Sequence, residues 1–272
     1  GPLQRPFEQW YTARSSVVLS DSKLAFEMVE GTGGPHALRI TGVGGQDSPP
    51  SPSPTLRYAA PLLARFAGVG ARDASAGGGD AVKILGRNFG ADDATLRAVT
   101  IRDDSRRGRD FEAKERCRVT VPHRELVCVM PPGPVGSRLV WTANVDGLAS
   151  ILLATSTRAP AIVSADSEAP LSTTGGDAFT VSGSDFGVEV SGIRALTYGP
   201  TGAEYTASGC AIARPNEQIV CASAAGLGRG HRVRVEIGDQ RSALGSATFA
   251  ALECVRTLAA RNSAVRGRTP PS

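Results

Sequence analysis

The chain holds five cysteines, and they are the residues with the most chemistry to offer. Cys117 and Cys128 stand 11 apart, and Cys210 and Cys221 repeat that step. Each pair brackets a polar turn: Val121-Pro122-His123-Arg124-Glu125 in one, Arg214-Pro215-Asn216-Glu217-Gln218 in the other. On an antiparallel hairpin, residues placed this way face each other within the Cα separation that a disulfide accepts. Bonds Cys117–Cys128 and Cys210–Cys221 would put the chain in an oxidising compartment, most simply outside the cell. A zinc site is the competing use of four thiols; against it stand the lack of Cys-x-x-Cys spacing and the distance in sequence between the pairs. Cys254, the fifth, is left for a partner in further sequence or in another molecule.

The other chemistry-bearing residues form no constellation. His36, His123 and His231 occur near turns without a common register, and no serine stands in a nucleophile elbow beside them, so they read as surface histidines and the catalytic set is empty. Gly226-Leu227-Gly228-Arg229-Gly230 imitates a phosphate loop, but it lies between strands and lacks the helix N-terminus that would hold a phosphate. No cofactor is expected. Asp92-Asp93 and Asp103-Asp104 could serve Ca²⁺ but carry no loop signature, and they read as solvated acids. The chain has 30 basic and 26 acidic side chains. Even the most basic stretch, Arg106-Arg107-Gly108-Arg109, is flanked by Asp103, Asp104 and Asp110. Nucleic acid wants a one-signed face, so it is not an expected partner.

The elements that carry these residues are organised by a repeat. Gly78-Gly79-Asp80-Ala81-Val82-Lys83-Ile84-Leu85-Gly86-Arg87-Asn88-Phe89-Gly90 returns as Gly175-Gly176-Asp177-Ala178-Phe179-Thr180-Val181-Ser182-Gly183-Ser184-Asp185-Phe186-Gly187, with seven of thirteen positions identical. Internal repeats decide architecture before any local motif does. In each copy Gly-Gly-Asp predicts a turn, the alternating apolar residues predict a half-buried strand, and Gly86 or Gly183 predicts a bulge. Arg232-Val233-Arg234-Val235-Glu236-Ile237 shows the clearest alternation, with counterparts at Leu38-Arg39-Ile40 and around Leu139 to Val145, where Trp141 is expected in a core. Ser150 to Thr155 reads as a buried strand and falls short of the roughly 20 apolar residues of a membrane span.

Residues 1–58 align with the second half of a repeat. Tyr11-Thr12-Ala13 matches Tyr205-Thr206-Ala207, and Gly31-Thr32-Gly33 falls where Gly133 and Gly226-Leu227-Gly228 fall. Phe26 and about Ser16 take the cysteine positions, so that hairpin would lack the bond. Asp47-Ser48-Pro49-Pro50-Ser51-Pro52-Ser53-Pro54 favours polyproline II geometry and, lacking backbone donors, cannot join a sheet ladder. It reads as a stiff loop, with Pro49, Pro50, Ser51, Pro52, Ser53 and Pro54 resembling runs that are hydroxylated and O-glycosylated in walls and surface proteins of plants and green algae.

The succession Pro-Leu-Leu or Pro-Ala-Ile, Gly-Gly-Asp, a short strand, Gly-x-x-Phe-Gly, Cys, an 11-residue step, Cys and a glycine turn such as Pro131-Pro132-Gly133 resembles IPT/TIG domains. The resemblance covers residues 59–249 well and 1–58 partly; Ala224-Ala225-Gly226 departs from it by lacking the prolines. It implies an all-β fold of tandem immunoglobulin-like (IPT/TIG) β-sandwiches. The expected division is 1–58 as the C-terminal part of one repeat, 59–157 and 158–249 as complete domains, and 250–272 as tail or linker. It further implies a non-enzymatic extracellular segment of a large surface or matrix glycoprotein, and the Ser-Pro run with the Arg- and Ala-rich composition points to a green-algal surface, ciliary or gametic. Partners would be other surface or matrix proteins, neighbouring repeats or glycans, with membrane attachment only through the parent protein. The alternatives are a carbohydrate- or ligand-binding accessory module and, less favoured, an intracellular DNA-associated module.

Overall fold

The computed structural model describes residues 11–248 apart from 43, 55, 104–108 and 152. The tail, with Cys254, and Trp10 lie outside the described residues. A hairpin of β1 (Ser15–Ser20) and β2 (Lys23–Glu27) comes first. Then follow β3 (Leu62–Ala67), β4 (Ala81–Arg87), β5 (Leu96–Asp103), β6 (Asp110–Glu112), β7 (Cys117–Val121), β8 (Glu125–Val129), β9 (Leu139–Val145), β10 (Leu148–Ala149) and β11 (Leu153–Thr155). The last group is β12 (Ala161–Asp166), β13 (Ala178–Ser184), β14 (Ile193–Gly199), β15 (Tyr205–Thr206), β16 (Ser208–Arg214), β17 (Gln218–Ala222), β18 (Arg232–Ile237), β19 (Gln240–Arg241) and β20 (Gly245–Thr248).

Strands β3 to β11 make one sandwich, with sheet order β3-β4-β8-β7 against β10-β9-β5-β6 and β11 joined to β9. Strands β12 to β20 make the second. There β20 pairs antiparallel with β18 and parallel with β12, so the two sheets are continuous through it. The chain is therefore all-β, a tandem of immunoglobulin-like sandwiches.

Alternation decides which faces meet. In the first sandwich Val82, Ile84, Leu126 and Cys128 from one sheet face Val99, Ile101, Trp141 and Ala143 from the other, all fully buried. Trp141 satisfies its indole N–H by donating to Thr155 Oγ1 at 2.8 Å, which removes the cost of burying that donor. Phe179, Val181, Ile219, Leu196, Val233 and Val235 build the second core in the same way.

The repeated glycine stretch works differently from its reading as a strand-interrupting bulge. The register shift lies in the partner strands, between Leu63 and Arg65 on β3 and between Ile162 and Ser164 on β12. Gly86 and Gly183 are required by close approach: a Cβ there would collide with the carbonyl oxygen of Leu62 or Ala161 and with the ring of Phe89 or Phe186. Those two phenylalanines are wholly buried. The Gly-Gly-Asp carboxylates reach backwards by the same interval. Asp80 accepts from the Ser75 N–H at 2.7 Å, and Asp177 accepts from the Ser172 N–H.

Two apolar segments depart from expectation. Leu38-Arg39-Ile40 forms no strand, and Ile151 is exposed at the start of the segment read as a buried strand. Leu38 and Ile40 instead run beside the Ser-Pro segment. The Ser51 and Ser48 N–H groups donate to their carbonyls at 2.8 and 2.9 Å, while the serine hydroxyl oxygens accept from their N–H groups at 3.0 and 2.9 Å. Serine side chains thus complete a ladder that proline alone could not.

Candidate functional site

Both expected disulfides are present, Cys117–Cys128 and Cys210–Cys221, with Cα atoms 4.0 Å apart in each. Cys117 and Cys128 are direct cross-strand partners on β7 and β8. The bonds leave these four sulfurs no role as zinc thiolates. Each closes a hairpin whose turn holds one non-glycine residue in the left-handed region, His123 (φ 59°) and Asn216 (φ 66°).

Those two turns are parts of a larger, repeated arrangement at which successive units meet. At the first junction Thr32 Oγ1 donates to Asp146 Oδ2 at 2.5 Å, and Glu30 lies 2.6 Å from His123 Nε2. Asp146 also receives Arg97, whose Nε and Nη2 stand 2.8 and 2.6 Å from Oδ1. A cavity of about 440 Å³ opens between the units, lined among others by Tyr11, Glu30, Arg97, His123 and Asp146. Its polar walls are engaged with one another across the junction.

At the second junction the corresponding parts meet again. Asp239, in the turn after β18 as Asp146 is in the turn after β9, accepts from the N–H of Ser137 at 2.7 Å and from its hydroxyl. Asn216 packs against Gly77, whose added Cβ would meet its Nδ2. Val135, from the loop between β8 and β9, is buried in the second core over Gly187 and Gly192. Arg109 pairs with Glu189, and Gln240 donates to the Thr157 carbonyl at 2.9 Å.

The buried carboxylate here is Asp185. Its Oδ1 accepts from the Ala76 N–H at 3.0 Å and faces Ser75 Oγ at 3.4 Å, while Oδ2 meets Arg158 Nε at 3.2 Å. Ala76 itself belongs to the second core although it precedes β4. Asn88, the repeat equivalent, is also left-handed (φ 64°, against 59° for Asp185), but its amide donates to the Ala60 carbonyl at 3.0 Å. Asp185 meets donors and is an acid; Asn88 meets a carbonyl and is an amide.

The remaining predicted residues are placed as follows. His231 is buried, with its ring edge-on to Tyr198 and Tyr205, each 5.8 Å away, which corrects its reading as a surface histidine. His36 stands in the same relation to Tyr11 (5.4 Å) and Tyr58 (5.6 Å). His36 and His231 each follow a repeat glycine, Gly31 or Gly226, by five residues, so the two do share a register. Asp92 caps a 3₁₀ turn by accepting from the Ala94 N–H at 2.9 Å, and Asp93 accepts from the Val119 N–H at 2.5 Å, so both are structural rather than merely solvated. Asp104 lies outside the described residues. Among the described residues no three His, Cys, Asp or Glu side chains gather as metal ligands. The Ser-Pro run is mostly exposed, with Ser51 half-buried and Ser53 open to solvent.

Sequence reasoning missed a glycine and aromatic pair that recurs three times. Tyr11 and Tyr58 cover Gly31, Phe111 covers Gly133 and Tyr205 covers Gly226 closely enough that a Cβ on the glycine would collide with the ring. The Tyr11 hydroxyl accepts from the Thr32 N–H at 3.1 Å, and the Tyr205 hydroxyl accepts from the Leu227 N–H at 3.2 Å. In the middle copy Pro134 has no N–H to offer, and the residue above is phenylalanine.

No family model matches the sequence, and no curated protein matches it. Among solved structures, similar chains include SGBP-B from a complex xyloglucan utilization locus in Bacteroides uniformis, 16% identical with a TM-score of 0.29 over 69% of this chain and 49% of that one. The plexin A4 extracellular region is 16% identical with a TM-score of 0.28, over 69% of this chain and 18% of that one. FdeC, an Escherichia coli adhesin, is 13% identical with a TM-score of 0.27, over 84% and 76%. The chain thus spans about half of the first of these and under a fifth of the second. At such identities and scores the likeness carries no ligand, partner or activity across.

Proposed function

We propose that the chain is a non-enzymatic, extracellular rod segment of a large surface or matrix glycoprotein, built from IPT/TIG-type repeats that hold surfaces at a set distance or adhere through exposed loops. The observation that carries this reading is the junction itself. At each junction the cysteine-hairpin turn and the turn after β9 or β18 contact the unit before: His123 and Asp146 meet Glu30 and Thr32, and Asn216 and Asp239 meet Gly77 and Ser137 on two separate loops. Using the same two turns at successive junctions propagates a direction along a chain, as nearest-neighbour stacking does in solenoids. The hairpin disulfides stiffen each unit and suit an oxidising compartment. Partners would be neighbouring repeats, other surface or matrix proteins, or glycans. A green-algal ciliary or gamete surface fits the Ser-Pro run, whose exposed prolines and Ser53 are open to hydroxylation and O-glycosylation.

Electrophoresis with and without reductant, joined to mass mapping on protein from its native source, tests the reading. Bonded Cys117–Cys128 and Cys210–Cys221 with a glycosylated Ser-Pro peptide are expected. Free thiols at all four positions would remove the extracellular claim. Small-angle scattering of the recombinant chain tests the rod: one rigid elongated form is expected, and an ensemble of freely hinged sandwiches would exclude it.

A further inference from the structure

The β1–β2 hairpin is the structural counterpart of the two disulfide hairpins. Ser16 lies directly opposite Phe26, as Cys117 lies opposite Cys128. Counting along β2, Leu24, Phe26 and Met28 take the places of Leu126, Cys128 and Met130, and of Ile219, Cys221 and Ser223. Tyr11 on Gly31 and the ring of His36 complete the equivalence with Tyr205, Gly226 and His231.

What differs is the neighbour. β8 pairs with β4, setting Ile84 opposite Leu126 and Val82 opposite Cys128. β17 pairs with β13, setting Val181 opposite Ile219 and Phe179 opposite Cys221. Among the described residues β2 pairs with β1 alone. Its inner face is partly open: Leu24 is 40% exposed and its cross-strand partner Val18 74%, and Phe26 is half-buried, whereas Leu126, Cys128 and Ile219 are at 0%. Val17 and Leu19 point to the opposite face, where Arg118 and Thr120 stand in the covered hairpin, and take no part.

We propose that the free edge and inner face of the β1–β2 hairpin dock an extended strand of the β4 and β13 kind. That strand runs antiparallel to β2, opens with Gly-Gly-Asp and sets two alternate apolar residues opposite Phe26 and Leu24. The repeat itself identifies the occupant, because the same hairpin is covered in this way twice within the chain. Unpaired edges with an apolar face accept strands through main-chain hydrogen bonds, and the alternate side chains select among them. The mode of recognition is independent of where the protein resides.

The test adds a synthetic peptide of residues 59–90, which carries β3 and β4, to the full chain and follows amide exchange. Protection of Lys23 to Met28 by about ten-fold or more is expected at saturation. Leu24→Asp with Phe26→Asp should abolish the protection, while Ala25→Asp, on the outer face, should keep it. A peptide carrying Val82→Asp and Ile84→Asp should give none. Unchanged exchange at the solubility limit of the native peptide overturns the proposal, as does equal protection by the double-aspartate peptide. Light scattering that finds the chain alone dimeric, and monomeric after Leu24→Asp with Phe26→Asp, also overturns it by making a second copy the occupant.

Discussion

Replacing Asp185 tests whether the second junction is a built contact or an incidental one. Asp185→Ala removes the acceptor of the buried Ala76 N–H, a loss of about 1–3 kcal/mol for a donor left unsatisfied away from water. It also puts alanine at φ 59°, where L-residues other than Asn and Asp pay about 1–2 kcal/mol. The Arg158 contact adds little, since that side chain is half exposed and such pairs contribute about 0–1 kcal/mol. Asp185→Ala should therefore cost about 2–5 kcal/mol at this site. Asp185→Asn keeps both the acceptor and the tolerance for left-handed backbone and should cost under about 1 kcal/mol. Asp185→Gly restores the backbone freedom but not the acceptor, and should fall between them at about 1–3 kcal/mol. Denaturant unfolding of the three variants, with amide exchange at Ala76, gives the order Asn, Gly, Ala. If Asn proved as costly as Ala, the charge rather than the hydrogen-bond acceptor would be what the site requires, and if Ala76 exchanged at the parent rate in Asp185→Ala, the bond from Ala76 would not be what joins the two sandwiches.

Other outcomes follow from the repeat geometry. Ser16→Cys with Phe26→Cys should form a third hairpin disulfide without added oxidant catalyst, stabilising the hairpin by about 3 kcal/mol on the chain-entropy model; two unblocked thiols on labelling would show the register to be wrong. Gly183→Ala forces a methyl onto the Ala161 carbonyl and should lower second-sandwich stability by about 1–3 kcal/mol, read as a shift in urea midpoint. Hydrogen bonds, first from the Thr201 hydroxyl and then from backbone N–H groups including those of Ala203 and Thr201, hold the Glu204 carboxyl at about 2. Its folded value lies below its unfolded value, so the stability it lends is full above about pH 4.5 and is lost as pH falls towards 2. Thr201→Ala should raise the Glu204 midpoint in a carboxyl NMR titration and flatten the acid limb of the stability curve; an unmoved midpoint would discount the turn.

The strands were legible because burial on one face imposes a period of two, and the cysteine step was legible because a hairpin fixes which residues face each other. Val233, Val235 and Ile237 are buried, and both bonds are closed, for those reasons. What stayed hidden depends on distances between segments far apart in sequence. Ala76 counts as a loop residue until Asp185 is brought to it, and His231 as a turn histidine until Tyr198 and Tyr205 enclose it. Leu38 and Ile40 have strand character, yet the strands that would cover them are not among the described neighbours, and serine oxygens took the ladder positions instead.

One long-range relation was nonetheless written in the sequence. The aromatic above each repeat glycine is a tyrosine where the next residue has an N–H, at Thr32 and Leu227, and a phenylalanine where the next residue is Pro134. The ring fills the space over the glycine in all three copies, so its presence reports packing. The hydroxyl tracks the donor, so its presence reports hydrogen bonding. Two substitutions separate the parts. Tyr205→Phe keeps the ring and leaves the Leu227 N–H to solvent, at a cost of about 0.5–1.5 kcal/mol. Phe111→Tyr brings a hydroxyl to a position where Pro134 has no donor to give, and should gain nothing. Equal changes in unfolding free energy for the two would mean that the pairing of tyrosine with an N–H is coincidence; unequal ones would establish a rule by which further copies of this repeat are read, ring first and hydroxyl only where no proline follows the glycine.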